Sequence, residues 1–218
     1  MTLAETGVLT PNPYERLYRS QGDGLLWGPG PGRLVAGLYR WVDPDQQGTV
    51  LDAGCGDGKN SLYLEGQGFQ VLGVDQSRTA LAALRRRAAT ASQVIRGRYL
   101  AADIEDFATD ETFDVVVSYG LYHCLDRDRR AAVHRRVQDR VKPGGIVVFT
   151  CLIDGVPLAA DHFDIQVWLP SESEIQHLFE GDRYNIEHWE IGSIVESHPP
   201  LVSVHEHRAV WAVARRSS

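Results

Sequence analysis

The chain reads as an α/β protein built on a doubly wound, mostly parallel sheet, and three observations carry that expectation. Short apolar strand signals alternate with helical patterns from residue 49 to 152, the first strand breaks at three alternate glycines, and an acid stands at the tip of the second strand. Alternation of this kind implies parallel neighbours, right-handed crossovers and helices on both faces of the sheet. At 218 residues with 43% hydrophobic content, the chain can bury one full core but not two large ones. One globular unit is expected over 45–218, preceded by a helical segment over 1–44.

Residues 1–12 read as a frayed end, after which Pro13-Tyr14-Glu15-Arg16-Leu17-Tyr18 starts a short helix with Asn12 as its cap. Gly22 to Gly32 is a loop by its breakers, and Arg33 to Val42 carries apolar residues at helical spacing. Then follow strand 49–54, helix 58–67, strand 70–75, helix 77–91, strands 98–102 and 113–119, helix 127–142 and strand 146–152. Lys142-Pro143-Gly144-Gly145 is expected to end the helix, since proline stops it and glycine supplies positive φ. An irregular stretch runs to Pro170 and a capped helix from Ser171 through Phe179. Segments 184–196 and 203–214, joined through Ser197-His198-Pro199-Pro200, alternate as an antiparallel hairpin.

Charge and composition exclude several classes. The formal net charge is −7 and the pI about 5.6, with no basic block, so the electrostatic footprint of nucleic-acid binding is missing. Arg85-Arg86-Arg87, Arg129-Arg130 and Arg135-Arg136 fall in helical patterns and read as solvated faces. No apolar run reaches the ~18 residues of a membrane span, and no basic and then apolar leader opens the chain. A soluble cytoplasmic protein, monomer or homodimer, is expected. Cys55, Cys124 and Cys151 are odd in number and far apart, which argues against both disulfides and a zinc knuckle.

The informative segment is Thr49-Val50-Leu51-Asp52-Ala53-Gly54-Cys55-Gly56-Asp57-Gly58-Lys59-Asn60, followed by Gln70-Val71-Leu72-Gly73-Val74-Asp75. Asp75 lies 21 residues beyond Gly54, where an open α/β sheet places an acid that accepts from ribose hydroxyls. A dinucleotide fingerprint needs a glycine where Lys59 stands, which disfavours an NAD-dependent oxidoreductase. The D-x-G-x-G-x-G form resembles the first motif of the class I S-adenosylmethionine (SAM)-dependent methyltransferases. The resemblance covers roughly residues 45–215. It implies a Rossmann-like seven-stranded sheet of order 3-2-1-4-5-7-6 with an antiparallel C-terminal hairpin. Residues 45–218 would then form the methyltransferase domain.

Further residues extend the resemblance. Asp103, in Ala101-Ala102-Asp103-Ile104, falls where the family places an acid for the adenine amino group, although it also suits a cap for a helix over 105–108. Ser118-Tyr119, at the end of the fourth strand, would hold the methionine amino group. Tyr14, Tyr18, Trp27, Gly28 and Pro31, with Asn60-Ser61-Leu62-Tyr63-Leu64 and Leu169-Pro170, look like the small thiopurine- and tellurite-type branch, whose N-terminal segment folds over the cofactor as a lid. The implied cofactor set is Tyr14, Tyr18, Trp27, Arg33, Asp52, Gly54, Cys55, Gly56, Asn60, Asp75, Gln76, Asp103, Ile104, Ser118 and Tyr119. Isolated tryptophans are usually core, which is the plain alternative for Trp27.

The resemblance implies in-line transfer of the sulfonium methyl to a small-molecule O, N, S or chalcogen nucleophile, with S-adenosylhomocysteine as product. A base is needed only for a protonated acceptor. His123, His162 and His198, with Tyr122 beside them at the pocket mouth, are the candidate catalytic residues. His205 and His207 share a strand face but need a third ligand to bind metal, and no metal is expected. A non-catalytic SAM-binding protein of the same fold is the competing class.

Overall fold

The computed structural model describes residues 13–21, 26–45, 48–158, 167–198 and 202–218. Its elements run α1 (Pro13–Gln21), α2 (Arg33–Ala36), β1 (Thr49–Ala53), α3 (Lys59–Gly66), β2 (Gln70–Asp75), α4 (Arg78–Thr90), β3 (Arg98–Ala101), β4 (Phe113–Tyr119), α5 (Arg127–Asp139), β5 (Val141–Ile153), α6 (Glu172–Leu178), β6 (Tyr184–His198) and β7 (Val202–Arg216). The strands form one seven-stranded sheet in the order β3-β2-β1-β4-β5-β7-β6. β1 to β5 pair in parallel, and β7 pairs antiparallel with both β5 and β6.

The central strands are apolar on both faces, as a sheet covered on both sides requires. Along β1, Val50 points to one core layer and Leu51 and Ala53 to the other. The first layer is filled by Leu34 and Val35 of α2 with Leu64 of α3, and the second by Val133 and Val137 of α5 with Ile175 of α6. The order reverses between β1 and β4, so the loops leaving these two strands diverge and open a crevice at their C-terminal ends.

Four local expectations are corrected. The helix expected over 33–42 splits at Gly37 into α2 and a 3-10 turn at Leu38–Arg40, since glycine is a poor helix former. α5 stops at Asp139, three residues before its expected end, because the Arg140 carbonyl is taken by the Phe113 N–H at 2.8 Å. β5 therefore begins at Val141, and Pro143-Gly144-Gly145 form an irregularity inside it, with Gly144 at φ +75°. The segment after Asp103 is a single turn without a helix, the Asp103 carbonyl accepting from Asp106 and Phe107. Ser171 does cap α6, its Oγ accepting from Glu174 N. Asn12 lies outside the described residues.

Arg87 and Arg130 are not on solvated faces. Arg87 holds Asp57 at 2.7 Å and also the Gly28 carbonyl. Arg130, 2% exposed, donates to the carbonyls of Tyr122 at 3.1 Å, Leu125 at 2.9 Å and Trp168 at 2.6 Å and pairs with Glu174. Among the described residues, no helix is long and apolar enough to cross a membrane.

Candidate active site

A cavity of about 530 Å³ occupies the crevice at the C-terminal ends of β1, β2, β3 and β4. Its floor is the loop after β1, where Gly54, Gly56 and Gly58 all take positive φ (+74°, +53° and +79°). A side chain at Gly56 would meet the Tyr18 hydroxyl at 2.5 Å, and one at Gly58 would meet Leu84 of α4 at 2.5 Å. Gly54 and Gly56 thus present bare backbone to the cavity, whereas Gly58 serves helix packing.

Asp75 joins this loop to the tip of β2. Its carboxylate accepts from Gly56 N and from Ser77 N, both at 2.8 Å. Burial raises the Asp75 pKa against these two bonds, and burial likewise raises that of Asp57. At the tip of β3, Asp103 Oδ1 accepts from Glu105 N at 3.0 Å, while Oδ2 lies 3.8 Å from Arg129, which also pairs with Glu105. Asp103 therefore caps its turn and faces the cavity at once.

α1 and the segment after it cover one side. Tyr14, Tyr18 and Trp27 all line the cavity, with Trp27 Nε1 donating to Tyr18 Oη at 2.7 Å and the Tyr14 hydroxyl 2.7 Å from Cys124 Sγ. α1 is fastened by Glu15, which accepts from Ser77 Oγ at 2.6 Å, Thr79 N at 3.2 Å and Thr79 Oγ1 at 2.5 Å at the start of α4. Burial pushes this carboxyl up, but the three donors outweigh it and hold its pKa at about 2. Asn60 completes the attachment, its Oδ1 accepting from Gly32 N at 2.8 Å.

Most of the expected residues meet in this space: Tyr14, Tyr18, Trp27, Gly54, Cys55, Gly56, Asn60, Asp75, Gln76, Asp103, Ile104, Tyr119 and His123 all line it. Arg33, Asp52, Ser118 and Tyr122 do not. Arg33 stacks 4.1 Å over Trp211 and pairs with Glu190 at 2.8 Å. Asp52 points into the core and accepts from Ser61 Oγ at 2.6 Å, burial holding its pKa up at about 6. Ser118 is fully buried within β4. Tyr122 is fully buried too, its hydroxyl 2.9 Å from His134 Nδ1 and its ring edge-on to Phe149. His162 lies outside the described residues, and only the backbone of His198 is described, paired with Val202.

His123 faces the cavity, but its geometry opposes a base. Nδ1 accepts from Leu152 N at 3.3 Å, so the neutral ring carries its proton on Nε2 and offers a donor. Lys59 and Arg129 also line the cavity without having been expected there, together with Trp168 and Glu196 from the segments 152–170 and 195–207 expected to form an acceptor site. Lys59 donates to the Trp27 carbonyl at 3.2 Å and lies 5.4 Å from the Tyr119 ring. Burial lowers its pKa against the charges of Asp57 and Glu196. Its helix-opening position after Gly58 was the one available signal. Near Glu196, His205 and His207 stand on β7, and the three form a compact group among the described residues.

Comparison with known proteins gives a consistent picture. Residues 50–145 match the family described as a methyltransferase domain. The chain is 34% identical over 122 residues to the cypemycin N-terminal methyltransferase of a Streptomyces species, covering 53% of this chain and 48% of that protein. It is 31% identical over 110 residues to the "Probable S-adenosyl-L-methionine-dependent methyltransferase TehB" of Haemophilus influenzae, covering 50% and 38%. The chain thus spans less than half the length of these curated relatives. Among solved structures, one described as conversion of a disulfide bond into a thioacetal group during echinomycin biosynthesis aligns over 94% of this chain and 90% of its own, with a TM-score of 0.71 and 24% identity.

Proposed function

We propose that the chain is a class I S-adenosylmethionine-dependent methyltransferase, a reading supported by the methyltransferase-domain match over residues 50–145 and by its relatives, and that it transfers the sulfonium methyl of SAM to a small-molecule acceptor by in-line displacement. One observation carries this reading: a glycine loop of positive φ and two acids, Asp75 and Asp103, at successive strand tips around a single cavity. In this reading Asp75 accepts from the ribose hydroxyls through its remaining lone pairs, and Asp103 from the adenine amino group. Residues 13–21 and 26–32 act as the lid, with Tyr18 and Trp27 above Gly56. Bound SAM supplies a methyl activated by its positive sulfur, and the protein aligns the nucleophile behind it and excludes water.

The acceptor is small because the cofactor and acceptor must share about 530 Å³. Its end of the cavity, beyond Tyr119, is lined by His123, Leu152, Trp168, Ile194 and Glu196. Titration calorimetry with SAM and S-adenosylhomocysteine tests the cofactor half, with dissociation constants expected in the micromolar range or tighter. Absence of binding by both sinks the proposal. Screening thiols, phenols, amines, ring nitrogens and tellurite for S-adenosylhomocysteine release then identifies the acceptor class.

A further inference from the structure

Near the closed end of the β6–β7 hairpin, three donor side chains converge on one sheet face. Glu196 lies directly across the ladder from His205, and His207 follows two residues along, opposite Ile194. Glu196 Oε1 is 3.9 Å from His205 Nε2 and 3.6 Å from His207 Nε2, and one donor atom from each residue lies within 4.8 Å of the others. The two imidazoles pack edge to face at 4.7 Å. Both histidine side chains are only 3% exposed, and that of Glu196 is 31% exposed.

The protonation pattern is fixed on one ring. His205 Nδ1 lies 2.7 Å from the Ser203 carbonyl, which can only accept, so Nδ1 carries hydrogen and the neutral ring turns its Nε2 lone pair toward Glu196. A carbonyl behind the ring, holding its far nitrogen, is the usual support of a metal-ligating histidine. A dication can take one lone pair from each of the three donor atoms at once. Donor atoms around tetrahedral zinc stand about 3.3 Å apart, so the Glu196 separations of 3.9 and 3.6 Å need to close by about 0.3–0.6 Å and the widest by up to about 1.5 Å.

We propose that Glu196, His205 and His207 bind a divalent first-row transition-metal ion of the zinc class, with an open coordination position toward the cavity that Glu196 and Ile194 line. Two imidazoles and one carboxylate leave at least one position for an outside ligand. Resting on the methyltransferase reading, that ligand is the acceptor's lone-pair atom. A thiol or hydroxyl bound there releases its proton to water and meets the methyl as an anion. The carbon–sulfur bond of the sulfonium breaks as the new bond to carbon forms.

The test uses the full chain, stripped with a chelator and dialysed against Zn²⁺. One ion per chain by elemental analysis, and visible absorption bands of a low-symmetry site with Co²⁺, are expected. Glu196→Gln and His207→Gln should each weaken Zn²⁺ binding by tenfold or more, while circular dichroism shows that both variants are folded. Glu196→Gln alters the more exposed ligand and keeps the experiment decisive if His207→Gln does not fold. Wild-type protein that retains no Zn²⁺ on dialysis, or a Glu196→Gln variant that binds it as tightly, overturns the proposal. Zn²⁺ bound at this site in a protein that binds no SAM would uphold the metal site and count against the methyltransferase reading alone.

Discussion

Asp75 accepts the backbone N–H of Gly56 at 2.8 Å, so the tip of the second strand and the glycine loop after the first are one rigid unit. The other carboxylate oxygen holds Ser77 N, also at 2.8 Å, at the N-cap of α4. Asp75→Ala removes both anchors together with the proposed acceptor for a ribose. SAM affinity should fall by about 1–3 kcal/mol, roughly five- to 150-fold, by calorimetry. An unchanged affinity would remove Asp75 from the cofactor site.

His123 is expected to position the acceptor without deprotonating it, because its Nδ1 is engaged by Leu152 N. His123→Ala should therefore reduce kcat by less than about tenfold with SAM affinity retained, since alignment carries the step. Steady-state rates with the acceptor found by screening decide this. A loss of ~10²-fold or more would restore a general-base role.

Tyr122 belongs to stability. Its hydroxyl meets His134 Nδ1 at 2.9 Å, while His134 Nε2 donates to the Leu178 carbonyl at 2.7 Å. Tyr122→Phe would leave a buried acceptor unsatisfied and cost about 1–3 kcal/mol in denaturant unfolding. SAM binding should not change, because Tyr122 is fully buried away from the cavity.

Two buried groups should oppose each other in acid. Burial raises Asp52 from 3.8 to about 6, so the folded state holds a proton that the unfolded chain has released, and stability falls as pH rises through that window. Burial lowers His134 from 6.5 to about 4, so folding excludes a proton there and stability rises over nearly the same range. Asp52→Asn removes the first effect. Between about pH 4 and 6.5 its stability should climb more steeply with pH than the parent's, by on the order of 2–3 kcal/mol across the window. Parallel pH profiles from chemical denaturation would refute the assignment.

The order of the sheet and the glycine–acid core of the site were legible because both are written in short stretches. Hydrophobic period, breakers and the Gly54-to-Asp75 interval are properties of neighbouring residues, and the resemblance turned them into a strand order. What escaped depends on distant partners. Arg87 and Arg130 look like solvated helix residues until Asp57 and the Trp168 carbonyl are brought to them. Tyr122 follows β4 as a pocket residue would, yet its 3-10 turn aims it at His134 and Phe149. Glu196 joins His205 and His207 only through the register of two strands.

The loop after β1 also sets how this chain can vary. Three positions, each separated by one residue, refuse a side chain for separate reasons: Gly54 would press on Leu121 at 3.2 Å, Gly56 on the Tyr18 hydroxyl and Gly58 on Leu84, and all three sit in backbone regions that L-residues avoid. No single compensating change elsewhere can relieve them together, since Leu121, Tyr18 and Leu84 lie on three different parts of the fold. A saturation library selected for folded protein should therefore return glycine alone at 54, 56 and 58 while Cys55, between two of them, accepts other small residues. Between Ile194 and His207 the sequence has no glycine, so variation at the proposed acceptor end meets no restriction of this kind.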